Sequence, residues 1–188
     1  MPTRKCLPLP TYFRFFIPFV LKERDKLLYL DEDILCLQEI SELVHLDMGK
    51  HLAAVVSDVL SVARRQSEAL NLQSECYFNA GVLLINVHQW LKQNISEKAL
   101  SLLSDRSKNY VFLDQDALNL ILDNAKKILP QKWNFISEKH EKTNIPKNTI
   151  LLHCAANPKP WDIFCDKKHK PINFILIMKV CPRGLGSR

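Results

Sequence analysis

Apolar runs separated by short polar stretches recur along the chain and predict strands that alternate with helices. Short continuous apolar runs bounded by polar residues are typical of buried strands. Three such runs end near Asp31, Asp58 and His153, and a fourth begins with a turn-capable Asn-Ala-Gly. In chain order, the four predicted strands are LLYLD, LAAVVSD, YFNAGVLLINV and TILLH.

Between these runs, apolar residues recur at helical spacing. The opening segment TYFRFFIPFVLK predicts a helix that kinks or ends at Pro18. The other predicted helices are ISELVHL, SVARRQSEALNL, a segment from about His88 to Leu103, and one from Leu113 to Asn124. This alternation predicts an α/β fold with a mostly parallel sheet flanked by helices.

Acidic and imidazole side chains follow three of the predicted strands. Asp31 and Asp33, Asp58 and His153 stand where apolar runs end, and ligands of open α/β sheets bind at the carboxyl ends of strands. A site of two carboxylates and one imidazole suits Mn²⁺ or Mg²⁺ better than a thiolate-binding metal. Lys159 would add a positive charge beside a bound diphosphate.

Each of these residues also has an ordinary interpretation. A D-x-D pair is usually a solvated turn, and a single histidine is more often hydrogen-bonded in a core than bound to a metal. Asp58 could cap the helix that follows it, and Lys159 could be surface charge. Only the arrangement at strand ends favours the site.

Length, charge and cysteine content limit the classes of protein to which this chain could belong. The 188 residues suffice for one domain, and the net charge of +6 is too diffuse for a nucleic-acid stripe. The six cysteines form no CxxC, which favours buried thiols in a reducing cytoplasm over disulfides. Arg14 interrupts the apolar opening segment, so we expect neither a signal peptide nor a membrane span there.

Several blocks of the sequence occur in an order that resembles glycosyltransferase family 8, in particular its bacterial lipooligosaccharide and lipopolysaccharide galactosyl- and glucosyltransferases. The resemblance runs from about Leu9 to Trp161, and TYFRFFIP looks like the family's helix before the D-x-D. The ordered blocks are YLDEDILCL, YFNAGVLLINVHQW, LDQDALN, LPQKWNF and LLHCAANPKPW.

The resemblance implies a GT-A-like fold and a set of metal ligands. Asp31 and Asp33 match the family's D-x-D, and His153 matches the histidine that opens its last block. These three would bind Mn²⁺ (or Mg²⁺) and, through it, the diphosphate of a UDP-sugar. Lys159 would contact the same diphosphate.

The resemblance also implies a donor-sugar pocket. Asp114, Gln115 and Asp116 match the catalytic block, with Gln115 where a nucleophile or a transition-state stabiliser is expected. An amide is a poor nucleophile, so a same-face mechanism with Gln115 as a dipolar stabiliser is favoured over a covalent intermediate. The substrate-binding residues implied by the resemblance are Arg14, Asp58, Asn79, Ala156 and Lys159.

The implied activity is that of a retaining hexosyltransferase. It would move a hexose from a UDP-sugar to a lipopolysaccharide-type glycan in the cytoplasm, peripherally at the inner face of the cytoplasmic membrane. No nucleic-acid partner is expected. The alternatives are a non-catalytic remnant of such an enzyme, and a peripheral membrane protein that acts through its basic, aromatic N-terminal helix.

The sequence departs from the family's pattern in ways that change the expected domain organisation. The match begins late, so we expect a partial GT-A-like domain over 1–161 with a truncated nucleotide-binding half, followed by a short tail over 162–188. Ala156 stands where the family has glycine, and an added methyl there could impede a close backbone approach to the diphosphate.

Overall fold

The structure is a computed structural model that describes residues 9–105, 107–137, 145–155 and 159. The predicted tail over 162–188 and Ala156 lie outside the described residues. The described chain divides into two compact units, which are treated separately below. Residues 9–30 and 41–129 form the first unit, and residues 31–40 with the described residues from 130 onward form the second.

The helices follow the sequence prediction closely. A 3₁₀ turn, Leu9–Tyr12, leads into the first helix, and a second 3₁₀ turn spans Gln131–Trp133. The α-helices are α1 (Phe13–Val20), α2 (Ser41–Val44), α3 (Leu60–Leu70), α4 (Val87–Lys92), α5 (Ile95–Ser104) and α6 (Asp114–Ile121).

The single helix predicted from about His88 to Leu103 is two helices, α4 and α5. Asn94 separates them in the left-handed conformation, with φ of 53°. Asparagine tolerates that conformation better than most residues. Among the described residues, no helix combines the length and the apolar character that crossing a membrane requires.

The strands outnumber those predicted, because three short ones were missed. These are β2 (Ile34–Cys36), β5 (Lys126–Leu129) and β6 (Phe135–Ile136), which have three, four and two residues. The strands are β1 (Lys26–Leu30), β2 (Ile34–Cys36), β3 (Ala53–Ser57), β4 (Phe78–Asn86), β5 (Lys126–Leu129), β6 (Phe135–Ile136) and β7 (Leu151–His153).

The first unit contains a four-stranded sheet in the order β1-β4-β3-β5. The central strands β3 and β4 are almost entirely buried, as their continuous apolar sequences predicted. Strand β1 was predicted to be fully buried and is not: it lies at the edge of this sheet, half-buried in its middle and exposed at Lys26 and Leu30. An apolar run alone does not distinguish an edge strand from a central one.

Strand directions are mixed rather than mostly parallel. β4 pairs antiparallel with both β1 and β3, and only β5 runs parallel to β3. In the second unit, β7 pairs antiparallel with β2 and parallel with β6, which gives a three-stranded sheet. The α/β class is confirmed, but the prediction of a mostly parallel sheet is wrong for the described strands.

Strand β4 contains an irregularity where the sequence predicted a turn. Leu83 pairs with Val55, but the next pair along β3 joins Val56 to Asn79. Three residues of β4 therefore fit between two neighbouring residues of β3. The Asn79 side chain accepts a hydrogen bond from the backbone of Gly81 at 3.0 Å, so the Asn-Ala-Gly turn exists but lies inside the strand.

The core of the first unit joins the sheet to α1, α4, α5 and α6. Phe15 on α1 and Trp90 on α4 are both fully buried. Ser96 links these two helices, because its hydroxyl accepts a hydrogen bond from Trp90 Nε1 at 2.9 Å and donates to the Phe15 carbonyl at 2.6 Å. Every polar group at this junction is thereby paired, as burial requires.

A buried lysine marks the start of β5. Lys126 donates to the Asp123 carbonyl at 2.7 Å, to Asp123 Oδ1 at 3.1 Å and to Ser74 Oγ at 2.8 Å. Burial alone would raise the pKa of Asp123, but hydrogen bonds from Ser74, Lys126 and the Gln73 backbone outweigh it and lower the pKa. The cluster ties α6 and β5 to the loop after α3.

The three described cysteines correct one detail of the sequence analysis. Cys154 is buried, whereas Cys36 is exposed and Cys76 is only partly buried, so burial does not describe all three thiols. All three are free.

Candidate functional site

Three metal-capable side chains converge in the second unit, as the sequence predicted. Ligand atoms of Asp31, Asp33 and His153 all lie within 4.8 Å of one another. The pairing of Ile34 with His153 across β2 and β7 produces this convergence, because it brings the turn before β2 beside the end of β7. Glu32, between the two aspartates, is exposed and outside the group.

Asp33 is the most constrained member of this group. His153 Nε2 lies 3.1 Å from its Oδ1, and Lys159 Nζ lies 2.5 Å from its Oδ2. Burial would raise the pKa of Asp33, but the adjacent His153 ring and the hydrogen bond from the Lys159 ammonium outweigh that effect and hold the pKa at about 2. The carboxylate is therefore ionised throughout the physiological range.

Lys159 is held in place by two acceptors. Its ammonium donates to Asp33 and, at 2.7 Å, to the backbone carbonyl of Cys154. The side chain is about a quarter exposed. Its positive charge therefore stands at the edge of the carboxylate group, where an anionic ligand of a bound cation could meet it.

The orientation of His153 depends on a residue that the sequence analysis did not assign. Asn134 Oδ1 lies 3.0 Å from Nδ1 of His153, and both side chains are buried. An amide oxygen only accepts, so Nδ1 carries a proton, and in the neutral imidazole this leaves the lone pair on Nε2. Asn134 lies in the block LPQKWNF, but only the parallel pairing of β6 with β7 places it beside His153.

The residues present fit a hard divalent cation. Oδ1 of Asp33 is buried, and no donor among the residues that the structure describes hydrogen-bonds to it, although Nε2 of His153 is 3.1 Å away. Two groups with lone pairs facing each other at that distance are the arrangement expected of two ligands of one ion. A mixed carboxylate and imidazole set suits Mn²⁺ or Mg²⁺.

A second cluster of predicted site residues lies in the first unit and centres on Gln115. Its Oε1 accepts from the Ala80 backbone at 2.9 Å, and its Nε2 donates to Asp58 Oδ2 and to the Tyr77 hydroxyl, both at 3.0 Å. Asn79 Nδ2 lies 3.4 Å from the same Asp58 oxygen. The sequence named Asp58, Asn79 and Gln115 as site residues, and the structure brings these three together.

Asp116 and Tyr77 continue this cluster into the core. Asp116 is fully buried and accepts hydrogen bonds from the Tyr77 hydroxyl at 2.5 Å, the Phe112 backbone at 2.9 Å and Gln66 at 3.2 Å. Burial raises the pKa of Tyr77, and the charge of Asp116 raises it further, so the phenol stays protonated. Tyr77 lies at the start of the YFNAGVLLINVHQW segment, but no role was predicted for it from the sequence.

Arg14 and Asp114 form a buried ion pair in the same unit. Nε of Arg14 lies 3.1 Å from Oδ2 of Asp114, and both side chains are less than a tenth exposed. The guanidinium also donates to the Ala80 carbonyl at 2.6 Å and lies 4.8 Å from the centre of the Tyr29 ring. The family resemblance made Arg14 a substrate-binding residue, and the structure pairs it with Asp114, the first residue of the D-Q-D block.

A model of glycosyl transferase family 8 matches residues 1–165, and the chain belongs to this family. The lipopolysaccharide 1,2-glucosyltransferase of Escherichia coli is 37% identical over 176 residues, an alignment that covers 86% of this chain and 52% of that protein. The lipopolysaccharide 1,3-galactosyltransferase of Salmonella typhimurium is 34% identical, with the same two coverages. This chain thus spans about half the length of the curated relatives it matches.

Solved structures confirm the fold. The galactosyltransferase LgtC, crystallised with donor and acceptor sugar analogs, matches 100% of this chain and 72% of its own chain. The TM-score is 0.81 at 20% identity, which establishes a shared GT-A-like fold.

Proposed function

We propose that this chain is part of a Mn²⁺-dependent retaining hexosyltransferase that uses a UDP-sugar donor and a lipopolysaccharide-type glycan acceptor. The group of Asp31, Asp33 and His153, with its buried Asp33 oxygen that no donor of the described residues satisfies, is the observation that supports this most directly. Membership of family 8 and the names of the two relatives support the choice of donor and acceptor class.

We propose that the second unit binds the donor diphosphate. Asp31, Asp33 and His153 would hold the cation, which when bound offsets negative charge on diphosphate oxygens. Lys159 would place its ammonium beside the same oxygens, since it already stands at the edge of the group. Ala156, which lies outside the described residues, remains a predicted backbone contact to the diphosphate.

For the first unit, we propose binding of the donor sugar. Arg14, Asp58 and Asp114, which are buried, and Asn79, which is half-buried, would offer polar groups suited to sugar hydroxyls. Gln115 would stabilise positive charge that develops at the anomeric carbon, because its amide dipole is fixed before the sugar arrives. Asp116, predicted as catalytic, is fully buried, and we propose that it acts through Tyr77.

The proposed transfer occurs on one face of the sugar. The bond from the anomeric carbon to the distal phosphate oxygen breaks, and UDP leaves with the electron pair. The acceptor hydroxyl oxygen forms the new bond on the same face, and its proton passes to the departing phosphate oxygen. Configuration is retained, and no glycosyl adduct forms on Gln115 or Asp116. Trapping such an adduct would contradict this mechanism.

We also propose that the protein acts in the cytoplasm, peripherally at the inner face of the cytoplasmic membrane. The lipopolysaccharide acceptors in the names of its relatives support this location, and the net charge of +6 is compatible with anionic lipid surfaces. The distribution of the protein between the membrane and soluble fractions of cells, at low and at high salt, tests it.

The deciding experiment measures UDP binding and UDP-hexose hydrolysis with and without Mn²⁺. Asp31→Asn and His153→Ala should each abolish the metal-dependent signal. Glu32→Gln is the matched control, because it removes an exposed carboxylate from the same turn without touching the group. If the unaltered chain shows no metal-dependent binding, or if Glu32→Gln is as damaging as Asp31→Asn, the proposed function is wrong.

A further inference from the structure

We propose that Tyr77 and Asp116 form a positioning pair that fixes the side-chain amide of Gln115 in one orientation. The inference rests on the proposed function only in assigning Gln115 to the reaction. The hydrogen-bonded chain from Asp116 through Tyr77 to Gln115 is a property of the first unit alone.

Most hydrogen-bonding positions of the Gln115 side-chain amide are occupied by protein groups before any ligand binds. Both hydrogens of Nε2 are used, one by Asp58 Oδ2 and one by the Tyr77 hydroxyl. One lone pair of Oε1 accepts from the Ala80 backbone. An amide offers two donors and two acceptor sites, so one lone pair of Oε1 remains for a ligand.

The direction of the Tyr77 hydroxyl decides which way this amide points. The carboxylate of Asp116 can only accept, so the phenol donates to it across 2.5 Å. The phenol oxygen then turns a lone pair toward Gln115, and only Nε2 can donate to that lone pair. In a flipped amide, Oε1 would face the oxygens of Tyr77 and Asp58, and Nε2 would face the Ala80 N–H.

Asp116 is itself anchored from two further sides. Gln66 donates to its Oδ1 and the Phe112 backbone donates to its Oδ2, so the carboxylate has no freedom to rotate. The hydrogen bond between the Phe112 N–H and Asp116 spans Leu113. The φ of Leu113 is 38°, which is unusual for a residue with a branched side chain. Such strain persists only where neighbouring contacts over-determine the backbone.

Because Asp116 is buried, its proposed role is to position other side chains and not to contact the substrate. Its exposed fraction is 0%, and its oxygens accept hydrogen bonds from Gln66, Tyr77 and the Phe112 backbone, so it would act on a sugar only through Tyr77 and Gln115. The pair therefore supplies preorganisation: the amide is held in place before the reaction instead of being oriented during it.

The test replaces Tyr77 with phenylalanine, which removes one hydroxyl and keeps the ring. In the full chain, NMR follows hydrogen exchange of the Gln115 side-chain amide, which is assigned by its disappearance in Gln115→Glu. We expect slow exchange in the unaltered chain and at least about tenfold faster exchange in Tyr77→Phe, because one N–H loses its acceptor. Tyr110→Phe, at another buried tyrosine of the first unit, should leave this exchange unchanged.

Kinetics give a second readout. In Tyr77→Phe, kcat for UDP-hexose hydrolysis should fall about tenfold or more while the donor KM changes less than about threefold, because ground-state contacts to the donor persist. Asp116→Asn should lower kcat in the same way, because it offers the phenol a donor as well as an acceptor. An unchanged kcat in Tyr77→Phe would refute the role.

The two readouts keep this inference separate from the proposed function. If the unaltered chain lacks hydrolysis but Gln115 exchange is slow and depends on Tyr77, the positioning stands and the proposed function fails. If the Gln115 amide of the unaltered chain exchanges as fast as a free amide, the positioning inference is wrong, whatever the activity and whether or not the variants fold.

Discussion

The carboxylate group of the second unit and the amide cluster of the first unit are built on opposite principles. Around Asp31, Asp33 and His153, metal-capable atoms face one another, and a buried Asp33 oxygen accepts no hydrogen bond from the described part of the chain. Around Gln115, nearly every donor and acceptor of the amide is already used. The carboxylate group is open to an added ion, whereas the hydrogen-bonding positions of the Gln115 cluster are already filled by protein groups.

This difference shows what each region can contribute. An open set of metal-capable side chains gains free energy when a cation arrives, so its function is binding. A closed network gains its free energy on folding and offers a ligand one fixed orientation, so its function is preorganisation. Removing one member of the carboxylate group should therefore weaken cation binding. Removing one member of the Gln115 network should destabilise the protein or misalign the amide.

The largest expected effect comes from breaking the buried Arg14–Asp114 ion pair of the first unit. Arg14→Ala should lower the free energy of unfolding by about 3–5 kcal/mol, because it leaves the buried Asp114 carboxylate without its cation. Urea denaturation measures the change. Arg65→Ala, on the exposed face of α3, should cost less than about 0.5 kcal/mol. Equal effects would show that the Arg14 pair does not contribute to stability as a buried contact.

In the open group, a cation should add stability. At a Mn²⁺ concentration of 100 times the dissociation constant, the unfolding free energy should rise by about 2.7 kcal/mol. His153→Ala should remove most of this gain, since it deletes one of three protein ligands, whereas Glu32→Gln should keep it. Urea denaturation with and without Mn²⁺ is the measurement. A gain that persists in His153→Ala would place the ion elsewhere.

A smaller effect is expected from the residue that orients a ligand. Asn134→Ala should weaken Mn²⁺ binding about tenfold, because His153 loses the acceptor that fixes its tautomer. Asn134→Asp keeps an acceptor at the same place and should recover affinity to within about threefold of the unaltered chain. Titration followed by Mn²⁺ electron paramagnetic resonance measures both. If Asn134→Asp binds as weakly as Asn134→Ala, the hydrogen bond to His153 is not the cause.

The smallest effect concerns acid stability at a closed cluster away from Gln115. The lowered pKa of Asp123 means that its ion pair with Lys126 stabilises the fold above the unfolded-state pKa of about 4. This contribution is lost as pH falls below about 4 and through the lower pKa of the folded state. Asp123→Asn should make the unfolding free energy fall less steeply as pH decreases in this range. The difference, summed over the range, should be less than about 1 kcal/mol. An unchanged slope would contradict the assignment.

The sequence predicted the open group better than the closed one. Asp31, Asp33 and His153 each follow an apolar run and match a motif, so their convergence could be inferred from strand ends and from the family resemblance. The contact between Tyr77 and Gln115 depends on how α6 packs beside β4. No local pattern in the sequence encodes that packing.

For the fold too, features with a local sequence signal were predicted, and features that depend on distant contacts were not. Long periodic segments such as α3 and α6 were predicted, and the buried strand β3 was too, because burial and helical period are local signals. Strands β2 and β6 are too short to show a period, and the directions of the strand pairs depend on partners distant in sequence. Asn134 was missed for this reason, since only the pairing of β6 with β7 brings it beside His153.

The three extra residues of β4 have a consequence for sequence alignment and protein engineering. Because Asn79 pairs with Val56 only after this insertion, the number of residues between Asn79 and Leu83 sets which face of the sheet Asn79 occupies. Deleting a single residue there would turn the Asn79 side chain to the opposite face, whereas many substitutions would leave it in place. Segment length is therefore the conserved quantity to look for at this position, and a gap placed inside FNAGV would misassign a residue of the site.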